Sequence, residues 1–248
     1  MEILFFLVLF ITGFLAGILN AVAGGATFLT FPALMFAGLS PVSANATNFI
    51  ATAPGNIAAL PAFKNELRMI GKQIYGPILI CSFGSIFGAI ILFSLGADIF
   101  KSLIPYLMGF ATLLFVFAPN LRKKLVGLSL KSRKLPIILL FAFSIYGGYF
   151  GAGLGQIALA VLILIGFEDL RTANAMKNAV IASISVPASI IYIMSGEVFW
   201  PYAVVMFLGS AGGGYVGGRL AISLPQNNIR KIVIIFGALL TIYYFFMK

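Results

Sequence analysis

The sequence has no histidine, a single cysteine, and only six acidic residues among 248; charged residues make up 9% of the chain. Each shortage removes a class of function. Cys81 stands alone inside an apolar run, so no disulfide forms within the chain, and without histidine there is no Cys/His set to hold zinc. No Ser-His or Cys-His pair can be assembled for nucleophilic catalysis, so an enzyme is not expected, and neither is a cofactor. No Gly-rich loop ending in Lys-Ser/Thr is present, which excludes an ATP motor within this chain. No Asp, Glu or His falls in the middle of an apolar run, so the carboxylate relay common in proton-coupled systems is missing.

What fills the space is apolar. Hydrophobic residues account for 61% of the chain and the mean hydropathy is +1.10, whereas a soluble domain is about a quarter charged. A bilayer core of about 30 Å takes about 20 apolar residues per helix. The runs supply about eight hydrophobic segments in a single membrane domain, which predicts an all-α polytopic membrane protein. The net charge of +10 comes from Lys and Arg scattered through short loops, without the aromatic-interleaved basic surface that tracks nucleic acid. It is read as orientation in the membrane. Residues 1–19, followed by Ala21-Val22-Ala23, imitate a signal peptide, but the N-terminal residues offer Glu2 instead of a basic residue, and the segment has a counterpart later in the chain. It is expected to belong to the mature protein.

Along the chain, Gly24-Gly25 interrupts the first apolar segment and residues 26–37 restart it for too short a distance to span alone. Ser40-Pro41 reads as an N-cap with proline at the first helical position, opening a helix over residues 41–63. Asn45, Asn48, Thr52 and Asn56 lie on it at spacings of three, four and four, hence on one face, which should point into the bundle. A basic loop over 64–72 and apolar segments at 75–95 and 103–118, joined through Asp98 and Lys101, complete a first unit, residues 1–121. A second basic loop, 122–135, connects to a second unit, 136–248. There the pattern returns: apolar residues to Tyr149, a break at Gly151-Ala-Gly153-Leu-Gly155, a short arm over 156–166, Asp169 as N-cap, a helix over 170–194 with Asn174, Lys177, Asn178, Ser185 and Ser189, and segments at 200–221 and 229–247. Gly24 falls on Gly153, Asn45 on Asn174 and Asn48 on Lys177 at one common offset.

If each glycine-broken pair is a hairpin with both ends on one side, thirteen of the sixteen basic residues face the cytoplasm; if each is one broken span, ten do. The positive-inside rule favours hairpins. Each unit then crosses an odd number of times, so the two are inverted relative to one another, the plan of secondary transporters whose discontinuous helices meet near the midplane.

The arms starting near Ala26 and Gln156 would present helix N-termini inside the membrane, where free N–H groups and the dipole attract anions. The candidate substrate-binding residues are Gly24, Gly25, Thr27, Asn45, Asn48, Gly153, Gly155, Gln156, Asn174, Lys177 and Asn178. Alternatives stand beside several. Lys177 either contacts the ligand or snorkels to the interface, and the asparagines either bind oxyanion oxygens or bridge helices. Pro54 and Pro187 sit within the third helix of each unit and are expected to kink it and free carbonyls. The stripes Gly13-x-x-x-Gly17, Gly84-x-x-x-Gly88 and Gly209-x-x-x-Gly213-x-x-x-Gly217 read as helix packing.

The runs G-F-L-A-G-I-L-N-A-V-A-G-G at 13–25, F-P-A-L at 31–34, S-A-N-A-T-N at 43–48 and R-T-A-N-A-M-K-N at 171–178 resemble the TauE/SafE family, also called the sulfite exporter or TSUP family, over nearly the whole chain. The resemblance implies a duplicated multi-pass permease of the bacterial or archaeal inner membrane that moves small sulfur-containing anions, such as sulfite or organosulfonates like sulfoacetate, commonly outward. The expected partners are a small anionic substrate and the lipid bilayer, not nucleic acid, with a homo-oligomer left open. A passive anion channel and a non-transporting membrane protein that packs with a partner are the alternatives.

Overall fold

The structure is a computed structural model that describes residues 2–125, 134–167, 169–223 and 226–246. Among these residues it is helical throughout, with no strand. The helices are α1 (Glu2–Ala23), α2 (Thr27–Phe36), α3 (Pro41–Ala59), α4 (Lys64–Ile70), α5 (Tyr75–Leu95), α6 (Ala97–Leu125), α7 (Lys134–Tyr149), α8 (Leu154–Leu164), α9 (Leu170–Met194), α10 (Trp200–Ser223) and α11 (Gln226–Phe246). Four stretches among the described residues are long and apolar enough to cross a membrane: Glu2–Ala23, Pro41–Leu95, Ala97–Ala118 and Arg171–Met194. Their outward faces carry large exposed apolar side chains, among them Leu7, Phe83, Phe110 and Ile190, as a lipid-facing surface requires. The chain is an all-α polytopic membrane protein.

Local chemistry sets the helix starts. The Ser40 hydroxyl accepts from the Ser43 N–H at 3.2 Å, with Pro41 next to it, and the Asp169 carboxylate accepts from the Thr172 N–H at 2.9 Å and its hydroxyl at 2.7 Å. These are N-caps that satisfy donors left free at a helix start. Four boundaries differ from the sequence reading. The basic loop at 64–72 is mostly the short helix α4, preceded by a 3₁₀ turn, Leu60–Phe63, into which α3 tightens. Asp98 and Lys101 lie inside α6, because Gly96 (φ +83°) turns the chain tightly enough for the helix to restart at once, and Asp98 in its first turn complements the dipole. The segments bounding the second basic loop are helical to Leu125 and from Lys134; residues 126–133 lie outside the described residues. The second short arm begins at Leu154, directly after Gly153, so Gln156 sits in its first turn.

Close contacts give the relative directions of α1, α3, α5, α7, α9 and α10. A methyl on Gly13 would lie 2.5 Å from the Met206 carbonyl, one on Gly17 2.7 Å from Gly214 N, and one on Gly217 2.7 Å from Ile18 Cα. Numbers rise together on α1 and α10, so the two are parallel. The Ser210 hydroxyl donates to the Ala51 carbonyl, and Gly218 packs on Ala59 with a methyl 2.9 Å from its carbonyl, so α3 is also parallel to α10. Helices α1 and α3 therefore run the same way, and α2 must carry the chain back between them. The second half repeats this. Gly84 lies against Phe141 and Gly88 against Tyr149, while the Ser82 hydroxyl donates to the Ser183 carbonyl at 3.1 Å and Phe93 packs on Tyr192 with ring centroids 5.6 Å apart. Thus α5, α7 and α9 share a direction, and α8 returns the chain. Between the sets the register falls: Asn45 bonds to Tyr192, whereas Asn56 faces the same small cavity as Ile181. So α3 and α9 are antiparallel.

Pro54 and Pro187 both sit inside continuous helices. Pro187 has no N–H to give the Ser183 carbonyl four residues back, and the Ser82 hydroxyl supplies that donor instead.

Candidate functional site

Two helices end inside the bundle, and their last carbonyls need donors. At the end of α1, Gly24 (φ +75°) turns the chain and its N–H returns to Leu19 O and Asn20 O at 2.9 and 3.0 Å. The carbonyls that follow are served from the other half of the chain. Lys177 Nζ donates to Ala21 O at 2.9 Å and sits 3.4 and 3.5 Å from Asn20 O and Val22 O. Asn178 Nδ2 reaches Ala21 O at 3.5 Å, and Gln156 Nε2 donates to Ala23 O at 2.9 Å. Lys177 is fully buried, so it does not snorkel. The cation and the partial negative charge of a helix C-terminus compensate one another.

At the end of α7 the caps are neutral. The Tyr192 hydroxyl donates to Gly148 O at 2.8 Å, and Asn45 Nδ2 donates to Tyr149 O and to the Tyr192 hydroxyl, both at 3.1 Å. Phe49 stacks on Tyr192 at 4.7 Å. Each hairpin end is thus held by a long helix from the opposite half.

The tips themselves touch. A methyl on Gly24 would lie 2.7 Å from Gly155 N, and one on Gly155 2.8 Å from Ala23 O, so glycine at both positions is what allows the backbones to cross. Behind the crossing, a cavity of about 20 Å³ is lined by Asn20, Thr27, Asn48, Thr52, Asn56 and Ser185, with Phe49 and Phe150 among its walls. That is room for about one water, so the site is closed in this conformation. Asn48 Oδ1 accepts from the Thr30 hydroxyl and Asn48 Nδ2 lies 3.5 Å from the Thr27 hydroxyl. Thr27 opens α2, whose N-terminus faces this space.

The residues singled out in the sequence do not form one shell. Gly24, Gly155, Gln156, Lys177 and Asn178 meet at the end of α1, and Thr27 and Asn48 line the cavity. Asn45 belongs to the end of α7. Gly25 packs toward Phe115 and Val233, and Gly153 (φ +69°) toward Ala111, both away from the cavity. Asn174 is buried with its carbonyl accepting from Asn178 Nδ2 at 3.0 Å, and it is not among the cavity residues. Four polar lining residues, Asn20, Thr52, Asn56 and Ser185, escaped the sequence-based candidate set. Thr52 and Asn56 share the face of Asn45 and Asn48, so their spacing was signal enough. Asn20 had no such signal, because its role follows from being near the end of α1. No group of three or more metal-ligating side chains occurs among the described residues.

With this geometry in place, known proteins supply the family. The family described as Sulfite exporter TauE/SafE matches residues 9–244. The chain belongs to the TauE/SafE family. The probable membrane transporter protein YfcA of Escherichia coli is 31% identical over 236 residues, covering 94% of this chain and 87% of the relative. A probable membrane transporter protein of Haemophilus influenzae is 28% identical over 235 residues, 94% of this chain and 92% of its own, and one of Sinorhizobium, ORF9, is 27% identical over 239 residues, 94% and 90%. No solved structure matches the chain. Membership of a TauE/SafE membrane transporter family places the chain in the inner membrane as a multi-pass protein with a small-molecule substrate.

Proposed function

We propose that this TauE/SafE protein is a secondary transporter that exports small sulfur-containing oxyanions such as sulfite or organosulfonates. The carrying observation is the crossing of the two hairpin tips beside a buried cavity lined by amides and hydroxyls, with no acidic side chain among its lining residues. The N-termini of α2 and α8 border the cavity at Thr27 and Leu154 with their positive dipole ends, and a sulfonate offers three oxygens to the amide and hydroxyl donors beside them. The family's description points the same way. In this reading residues 1–121 and 136–248 are two inverted units joined by a basic cytoplasmic segment, supported by the opposed directions of α1 and α3 against α7 and α9. Alternating access then consists of parting the tips toward one side or the other. Thr27 and Asn48 are the proposed nearest contacts, with Asn20, Thr52, Asn56 and Ser185 behind them, while Gly24, Gly155 and Gln156 form the crossing that must part.

The test is counterflow in proteoliposomes: vesicles preloaded with unlabelled sulfite or sulfoacetate should accumulate the labelled anion transiently, and Asn48→Leu should remove most of that accumulation. Labelled anion that equilibrates without overshoot would instead indicate a passive channel. A second reading, a protein that only packs with a partner, draws on the smallness of the cavity and the glycine-lined contacts. Flux no greater than in empty vesicles for every anion tried would favour it.

A further inference from the structure

We propose that Lys177 is a positioning residue that keeps the hairpin tips closed, not a ligand of the transported anion. The inference rests on the tips being the substrate site, but its geometry stands without any substrate. An ammonium has three protons, and Lys177 Nζ has three carbonyls before it: Ala21, Asn20 and Val22 at 2.9, 3.4 and 3.5 Å. All three belong to the last turn of α1. Its donors are therefore committed to protein, the side chain is fully buried, and it does not line the cavity. The charge itself is met by the C-terminal end of the α1 dipole.

The consequence is mechanical. Lys177 rides on α9 and Gln156 on α8, so the end of the first hairpin is fastened to two helices of the other half, by charge at Asn20 to Val22 and by an amide at Ala23. The end of α7 and the break after it are held by uncharged donors, Asn45 and Tyr192 at Gly148 and Tyr149 and the Tyr146 hydroxyl at Ala152 O. One tip is thus held by a cation and the other by neutral donors. For the tips to part, the ammonium must leave its carbonyls or drag the end of α1 along with α9. Either way Lys177 governs how often the tips open while the anion's own donors lie elsewhere, at Thr27 and Asn48 beside the N-termini of α2 and α8.

The experiment places one thiol in the cavity, Thr27→Cys with Cys81→Ser, and measures its alkylation by N-ethylmaleimide in proteoliposomes without substrate. Losing a hydrogen bond to a charged donor shifts an opening equilibrium by about tenfold or more, so adding Lys177→Met should speed labelling by about tenfold, while Lys177→Arg, which keeps the charge, should hold it within about threefold of the parent. Turnover also requires the tips to reclose, so in counterflow Lys177→Met should lower the maximal rate and leave the half-saturating concentration within about threefold. Unchanged labelling in Lys177→Met overturns the proposal, as does a half-saturating concentration raised about tenfold with the maximal rate intact, the signature of a ligand. If Lys177→Met does not insert into the membrane, Gln156→Leu tests the same fastening at Ala23: faster labelling supports it and no change refutes it. Labelling needs no transported anion, so a wild type inactive toward sulfite defeats the substrate assignment while this inference is still decided.

Discussion

Replacing Gly155 with alanine should drive the two hairpins apart. The added methyl would lie 2.8 Å from the Ala23 carbonyl oxygen, 3.0 Å from Gly24 N, and nearer still to Gly24 Cα. Carbon contacts are comfortable at about 3.5–4.0 Å, so the backbones must separate by roughly 1 Å. Every obstructing atom is main chain, and none can rotate away. Overpacking of this kind costs about 1–3 kcal/mol. The same separation stretches the bond from Gln156 Nε2 to Ala23 O, now 2.9 Å, past useful length and forfeits about 0.5–1.5 kcal/mol more. Together the loss comes to roughly 2–4 kcal/mol, only partly offset by alanine's better helix propensity. Thermal unfolding in detergent should show a midpoint lower by roughly 5–10 °C, and anion counterflow should fall with it. Gly76→Ala is the control, because a methyl there meets nothing within 4 Å; its midpoint should stay at the parent value or rise slightly. A Gly155→Ala protein that melts with Gly76→Ala and transports normally would refute the crossed-tip geometry.

Other sites give independent checks. Thr172 holds the Asp169 carboxyl below its usual 3.8, first through its backbone N–H and then through its hydroxyl. A lowered folded-state value means the cap's contribution is present above pH 3.8 and is lost as the pH falls through the lower folded value. Asp169→Ala should accordingly cost about 0.5–2 kcal/mol at neutral pH and progressively less as the pH falls below 3.8, read as the difference between the two melting curves. Ser82→Ala leaves the Ser183 carbonyl, already deprived of its helical donor by Pro187, without the hydroxyl that serves it, and should lower stability by about 1–3 kcal/mol in the same assay. Asn48→Leu removes one of the two acceptors of the Thr30 hydroxyl, which keeps Ala26 O at 3.0 Å, and the neighbour of Thr27. It should weaken counterflow by raising the half-saturating concentration at least about tenfold, since the amide that donates to the anion is gone.

Much of the fold could be read without coordinates because its causes are short-range. Hydropathy marked the helices, Ser40-Pro41 and Asp169 marked where α3 and α9 begin, and the glycines at 24 and 151–155 marked where α1 and α7 end, since a positive φ is a local demand of the chain. The spacing of Asn45, Asn48, Thr52 and Asn56 placed them on one face, and all four are buried. The misplaced boundaries, α4 in a supposed loop and α6 starting before Lys101, came from treating charged residues as loop, although charge near a helix end is tolerated where it complements the dipole or reaches the interface.

What the sequence determined by itself was the solvent, the segments and their interruptions: a helix must be apolar to lie in lipid, and its breaks need glycine whatever surrounds them. Only the tertiary structure decided what each interruption faces. Lys177 finds its carbonyls 155 to 157 residues away, and Asn45 finds Tyr149 104 residues away, because the donors that a buried helix end needs come from whichever helix packing brings beside it. Helical periodicity tells which face a residue occupies; it carries no information about the neighbour across from that face.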